Sequence, residues 1–376
     1  MQSTDPADPA TAPNPHLQAR PDWLALRQEE ILDPDLAIVD PHHHLVDRDN
    51  TGRYLLPELL ADIDSGPTPT LPSPASGGGL GRGRTGHNIT ATVYLEWLSM
   101  YRAANSPTGG PAEMRPVGEV EFANGVAAMA ASGAYGKTRV CAGIVGYADL
   151  MLGGRVEPVL DAMIAAGGGR FRGIRFITAS HPDDAARGSS VNRAAGLLME
   201  PKVREGFARL HPLGLSFDAW MYFTQLGELV DLARAFPETP IVLNHVGGAI
   251  GIGPYAGRRD EVFAEWRARI AELAACPNVH VKLGGLGMRL FGFDVHTHDL
   301  PPSSEELAAA WRPYIECCIT AFGANRAMFE SNFPVDKGSG SYPVFWNAFK
   351  RIAAGASADE KAALFAGTAS RFYRLG

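Results

Sequence analysis

The 376-residue chain holds only four cysteines, Cys141, Cys276, Cys317 and Cys318. None forms a Cys-x-x-Cys pair, which excludes a dithiol redox motif or a paired-thiolate zinc site, and adjacent Cys317 and Cys318 are poorly placed to bridge each other. A reduced, cytoplasmic compartment is the resulting expectation. Also missing is any apolar run near the roughly 20 residues that cross a bilayer. The opening MQSTDPADPATAPNPH has no basic n-region and no apolar h-region, so it does not read as a signal peptide. Basic blocks are missing too. The 34 Lys and Arg are outnumbered by 41 Asp and Glu, giving a net charge of -7. The nearest cluster, Arg258, Arg259, Arg267 and Arg269, alternates with acids as a solvated helix face does. Nucleic-acid and membrane surfaces are therefore not expected.

What is present is the composition of a globular enzyme, 45% hydrophobic and 20% charged. Residues 1–20 are rich in Pro, Ala and Asp and read as a flexible arm, and SGPTPTLPSPASGGGLGRGRTG (65–86) reads as a long surface loop. Residues 21–376 read as one domain. Eight β-rich runs recur within it: 37–44, 89–97, 140–147, 171–177, 215–220, 240–247, 279–285 and 326–334. Several are unbroken Val/Ile/Leu stretches, as parallel strands buried on both faces require. Segments with helical spacing separate most of them, such as EVFAEWRARIAELAACP and SEELAAAWRPYIECCITAFG. No glycine-rich phosphate loop follows the first run, so a (β/α)8 TIM barrel is favoured over a dinucleotide-binding open sheet.

In such a barrel the active site lies at the C-terminal strand ends. Polar residues collect there: His42 and His44 in DPHHHLVD, Glu96, Arg175, Asp218, His245, Lys282, Glu330 and Asn332. Residues two apart on a strand share a face, so His42 and His44 point together and His43 points away. Two imidazoles on one face suit a borderline-soft cation such as zinc. His245, ending a buried strand, is placed to ligate a metal or transfer protons. Arg175 and Lys282 either pair with an internal carboxylate or bind a substrate anion. Tyr94, Trp220 and Tyr222 read either as an apolar substrate wall or as core aromatics.

At these residues the sequence resembles the amidohydrolase superfamily, in its amidohydrolase-2 branch. The resemblance rests on IVDPHHHL, PIVLNHVGG and MFESNFPVD, with RFRGIRFI and NVHVKLGGLGM between, and covers roughly residues 36–375. It implies a TIM barrel, and hydrolysis of lactones or related esters, with decarboxylation of aromatic or muconate-like acids as the neighbouring chemistry. Some members bind a metal and some lactonases work without one. The family's strand-eight aspartate falls here on Asn332, which cannot serve as a carboxylate base. The expected replacement is Glu330, on the same face one layer deeper, with Asp336 as the alternative from the following loop. The strand-five histidine of metal-binding relatives is also missing, Asp218 being the nearest candidate. The resulting expectation is a zinc or manganese site drawn from His42, His44, Glu96, Glu330 and Asp218, or a metal-independent centre. His245, Glu330, Asn332 and Asp336 would be catalytic, and Arg175, Lys282, Tyr94, Trp220 and Tyr222 would bind substrate. The expected partner is a small molecule with a carboxylate or lactone, with a homo-oligomer left open. A catalytically inactive binding barrel is the rival outside enzymes.

Overall fold

The computed structural model describes residues 16–49, 51–64, 86–104, 109–188 and 193–376. The first fifteen residues of the expected arm, and the expected 65–86 loop apart from Gly86, lie outside the described residues. Eight parallel strands follow one another around a single sheet in sequence order. They are β1 (Ile38–His43), β2 (Ile89–Leu95), β3 (Arg139–Gly146), β4 (Phe171–Ile177), β5 (Ser216–Trp220), β6 (Ile241–Leu243), β7 (Val279–Leu283) and β8 (Ala327–Phe329). The ring closes just beyond β8. The Asn332 N–H donates to the His42 carbonyl at 3.0 Å, and the His44 N–H donates to the Phe333 carbonyl at 2.8 Å. A helix follows each strand: α1 (Leu56–Asp64), α2 (Val117–Ala131), α3 (Glu157–Ala166), α4 (Pro201–Phe207), α5 (Leu226–Ala235), α6 (Arg259–Ala274), α7 (Ser304–Phe322) and α8 (Tyr342–Ile352). A short antiparallel hairpin, Val46–Arg48 with Gly52–Tyr54, precedes α1.

The fold is therefore the (β/α)8 barrel that the β–α alternation implied. Strand periodicity sorts its side chains into two cores. On β2, Ala91, Val93 and Leu95 point into the barrel, where they meet Val39, Val145, Val242 and Met328. Ala369, Phe372, Tyr373 and Leu375 from the C-terminal segment pack into that same interior cluster. Tyr94, on the alternate face, belongs to the larger layer between strands and helices. Burial of apolar surface on both faces, at about 25 cal/mol per Å², is what holds the strands together. Helix ends follow local rules: α7 starts with a capping box in which Ser303 and Glu306 satisfy each other's backbone N–H groups.

Several sequence-read runs outlast their strands. The sixth and eighth extend on paper to Gly247 and Pro334, but β6 stops at Leu243 and β8 at Phe329. Beyond them, His245 (φ 53°), Val246 (φ 46°) and Asn332 (φ 57°) adopt left-handed backbone conformations that no strand permits. Such non-glycine positions are strained by about 1–3 kcal/mol each and gather at functional sites. Among the described residues, no helix is long and apolar enough to cross a membrane.

Candidate active site

His42 sits at the centre of the barrel's C-terminal end. A register shift between Asp40 and His43 interrupts the β1–β2 ladder and changes which way successive side chains face. Asp40 is turned to the outer layer. There its carboxylate accepts from the Ser331 N–H (3.0 Å), the Ser331 hydroxyl (2.6 Å) and the Tyr342 hydroxyl (3.0 Å). His42 nevertheless faces the interior two residues later. His43 faces out, its Nε2 2.9 Å from the Thr92 hydroxyl and its ring edge-on to Tyr94. His44 returns to the His42 side: their Nε2 atoms are 3.2 Å apart, and His44 Nδ1 donates to the Leu95 carbonyl at 2.9 Å.

Glu330 joins two imidazoles. Its Oε1 accepts from the His245 N–H at 3.0 Å and from His245 Nδ1 at 2.7 Å. Its Oε2 lies 2.6 Å from His42 Nδ1, but off the hydrogen-bond direction, so this buried oxygen touches the ring without a formed hydrogen bond. The glycines of the LGG segment make room for this. A Cβ on Gly284 would lie 2.5 Å from Glu330 Cγ, and one on Gly285 (φ 70°) would lie 2.4 Å from His245 Nδ1. Only glycine lets the backbone come this close and take this conformation.

Both internal cations are paired with other carboxylates, which leaves Glu330 to the histidines. Arg175 Nε donates to Glu96 Oε1 at 2.7 Å, and its Nη2 donates to the Glu96 carbonyl. Its Nη1 lies 3.3 Å from His42 Nε2. Lys282 Nζ lies 2.7 Å from Asp218 Oδ1, donates to the Pro41 carbonyl at 2.9 Å and is 3.4 Å from His42 Nδ1. Asp218 Oδ1 also accepts from Asn244 Nδ2 and the Tyr373 hydroxyl. Glu96 and Asp218, expected among the metal ligands, thus serve as counter-ions to Arg175 and Lys282.

Burial above all favours the neutral form of His42, His44 and His245. Burial, then the Lys282 ammonium and neighbouring His245, hold His42 well below its ordinary value. Burial and the Arg175 guanidinium do the same for His44. His245 is lowered by burial, against the opposing pull of Glu330. Neutral imidazoles can ligate a metal or accept a proton. Among the described residues, ligand atoms of His42, His245 and Glu330 all lie within 4.8 Å of one another and could hold a metal ion. Two imidazole nitrogens and a carboxylate fit such an ion, and the Glu330 oxygen lacking a hydrogen bond points to the same fit. His44, Glu96 and Asp218 stand outside that triad.

A cavity opens above the triad, lined by His44, Trp97, Arg175, Trp220, His245 and Asn332 among others. Trp220 meets His245 edge-on at 4.8 Å and Trp97 stacks on His44 at 5.1 Å. Of the other predicted substrate aromatics, Tyr94 points into the outer layer, donating to Glu119 at 2.7 Å, and Tyr222 stands behind Trp220 with its hydroxyl accepting from the Gly188 N–H. Lys282 is fully buried beneath the triad and does not line the cavity. Asn332 donates to Asp336 at 2.8 Å, and Asp336 also accepts from the Gly287 N–H at 3.0 Å. Burial pushes Asp336 well above the usual carboxylate range. Sequence reasoning missed Trp97, Glu119, Asn244 and Tyr373. Trp97 adjoins Glu96 and could have been picked out, whereas Tyr373 reaches Asp218 only because the C-terminal segment packs into the barrel interior.

The fold and centre define a class: a (β/α)8 barrel with histidines and a carboxylate joined at the C-terminal strand ends. The Amidohydrolase family model Amidohydro_2 matches residues 39–375, and the chain belongs to that family. It is 34% identical over 362 residues to the uncharacterized protein y4mH of Sinorhizobium fredii, covering 91% of this chain and 99% of that one. It is 29% identical over 243 residues to an L-fucono-1,5-lactonase of Burkholderia ambifaria, covering 64% and 72%. Among solved structures, a zinc-bound amidohydrolase from Burkholderia multivorans shares the fold with a TM-score of 0.61 at 22% identity, covering 90% of this chain and all of that one. Family and relatives together support a hydrolase.

Proposed function

We propose that the protein hydrolyses the lactone of a small hydroxy acid. The observation that carries this reading is Glu330, buried between His42 and His245, with His245 in turn lining a cavity together with Arg175. The L-fucono-1,5-lactonase relative supports a lactone over other esters. Because Glu330 Oε1 accepts from His245 Nδ1, the ring is held in one orientation with Nε2 left as a proton acceptor. Glu330 Oε2, without a hydrogen bond of its own, is placed to take a proton from water as its oxygen attacks the lactone carbonyl. Negative charge then develops on the carbonyl oxygen, and the fixed Arg175 guanidinium stabilises it without having to reorganise. The ring C–O bond breaks, and the proton that Glu330 took from water is relayed through the free Nε2 of His245 to the leaving oxygen, yielding the hydroxy acid. His42, His245 and Glu330 are the residues that would hold a divalent cation of the zinc or manganese type. When bound, such a cation supplies Lewis-acid polarisation and a more acidic water.

The test is a panel of sugar lactones, muconolactones, pyrone carboxylates and phenolic acids, assayed by acid release and carbon dioxide trapping, with and without added zinc or manganese. Ring-opened acid without carbon dioxide is expected. Carbon dioxide release would make the protein a decarboxylase, and no turnover under any metal condition would favour a binding barrel.

A further inference from the structure

The described part of the N-terminal segment, from His16 onward, lies across the C-terminal mouth. His16 lines the cavity above the triad together with His44, Trp97, Arg175 and His245. His16 and Leu17 also line a second, adjoining space with Arg187, Gly188 and Arg289. The segment therefore divides the mouth in two. Its seat is shaped for it. The His16 ring lies 5.7 Å from Trp97, the tryptophan stacked on His44. Leu17 rests on Gly338, where an added Cβ would come within 2.4 Å of Leu17 Cβ and 2.7 Å of its carbonyl oxygen. Downstream contacts pin the strap along the barrel. Arg20 donates to the His296 carbonyl at 2.5 Å, Trp23 Nε1 to the His298 carbonyl at 3.0 Å and Arg27 to the Pro301 carbonyl at 3.1 Å. Glu29 accepts from the Ser304 N–H that opens α7, at 2.7 Å.

We propose that His16 is a specificity-determining residue: the strap roofs the substrate cavity, and the His16 imidazole touches whatever molecule lies between it and His245. The other lining residues come from strand ends and the loops after them, and His16 comes from a segment that precedes the barrel in sequence. Ligand sites that enclose most of a small molecule need such a segment, because a barrel mouth alone is open to water. The strap sets an upper size for the substrate and separates the cavity from bulk solvent. This deepens the lactonase reading and, for its kinetic arm, rests on it.

Two variants test it from opposite sides, and neither residue belongs to the triad. His16→Ala removes the roof's contact, and Gly338→Val pushes Leu17 off its seat. On the best lactone found for the wild type, each is expected to raise KM at least tenfold with kcat within about threefold, and to admit lactones with bulkier substituents. An unchanged KM and an unchanged size limit in both variants, with the wild type active, would overturn the roof and leave the hydrolase intact. If the wild type opens no lactone, the roof is judged by iodide quenching. The Trp97 contribution, isolated by difference from Trp97→Phe, is expected to become at least twofold more quenchable in both variants. Unaltered quenching of that component would overturn the proposal on its own.

Discussion

Replacing Gly285 by alanine measures how closely the reaction centre is packed. Two effects separate cleanly at this position. Its φ of 70° lies in the left-handed region, where an L side chain costs about 1–2 kcal/mol. The new Cβ would also lie 2.4 Å from His245 Nδ1, whereas ordinary contact begins at 3.4 Å, so the ring must retreat by the difference, 1.0 Å. A displacement of about 1 Å in a group that positions reactants lowers a rate by about 100-fold. Gly257 supplies the control. It has φ 75° with nothing within 4 Å of a built Cβ, so Gly257→Ala carries the backbone strain alone. Urea melts should show Gly257→Ala destabilised by about 1–2 kcal/mol and Gly285→Ala by more, while kcat/KM on the best lactone falls about 100-fold for Gly285→Ala only. Equal turnover in the two variants would refute the placement of His245 at the reacting atoms.

Further outcomes follow from the same geometry. Lys282→Met leaves Asp218 buried without its ammonium and should destabilise the fold by about 3–5 kcal/mol, with much of that recovered in Lys282→Met/Asp218→Asn; a double variant as unstable as the single one would contradict the pairing. Asn332→Ala should reduce kcat/KM less than Glu330→Gln, and the reverse order would move the reactive role to Asn332. Stability should fall as pH drops from 7 to 5. The buried histidines His43 and His87, each lowered to about 3, together with lowered His42, His44 and His245, bind fewer protons folded than unfolded. Their contribution is complete above the ordinary histidine value of 6.5 and shrinks as pH falls below it. Asp40, raised to about 6, Glu119, raised to about 8, and raised Asp62, Asp64 and Asp336 act in the opposite sense, losing stability as pH rises, but they are fewer than the lowered histidines, which also include His16, His280 and His296. Urea midpoints that are equal at pH 7 and pH 5 would show that this balance is misjudged.

The barrel was legible because its signals are local. Buried parallel strands read as Val/Ile/Leu runs, and helical spacing filled the gaps between them. The strand ends were legible for a similar reason, since a histidine or carboxylate closing an apolar run is conspicuous. Which charges pair was not legible. Even strand register does not give it: Arg175 and Asp218 stand opposite each other on neighbouring strands β4 and β5, yet Arg175 pairs with Glu96 and Asp218 with Lys282. Sequence alone could not choose between the partners that this register brings within reach. The alternation that put His42 and His44 together also could not show the break after Asp40, which turns Asp40 outward and still leaves His42 facing in. The roof was invisible in principle. A Pro- and Ala-rich opening has the composition of a loose tail, and only the contacts of His16 with Trp97 and of Leu17 with Gly338 show that its described end is packed.

The most direct test of the central claim is the kcat/KM of Glu330→Gln on the best lactone, measured beside a urea melt. Glutamine keeps the shape of the side chain but removes the charge that orients His245 and accepts the water proton. A loss of at least about 1,000-fold with the melt little changed is the predicted result, the size expected when a general base and its orienting charge are removed together. Turnover within tenfold of the wild type would show that the reaction does not run through Glu330.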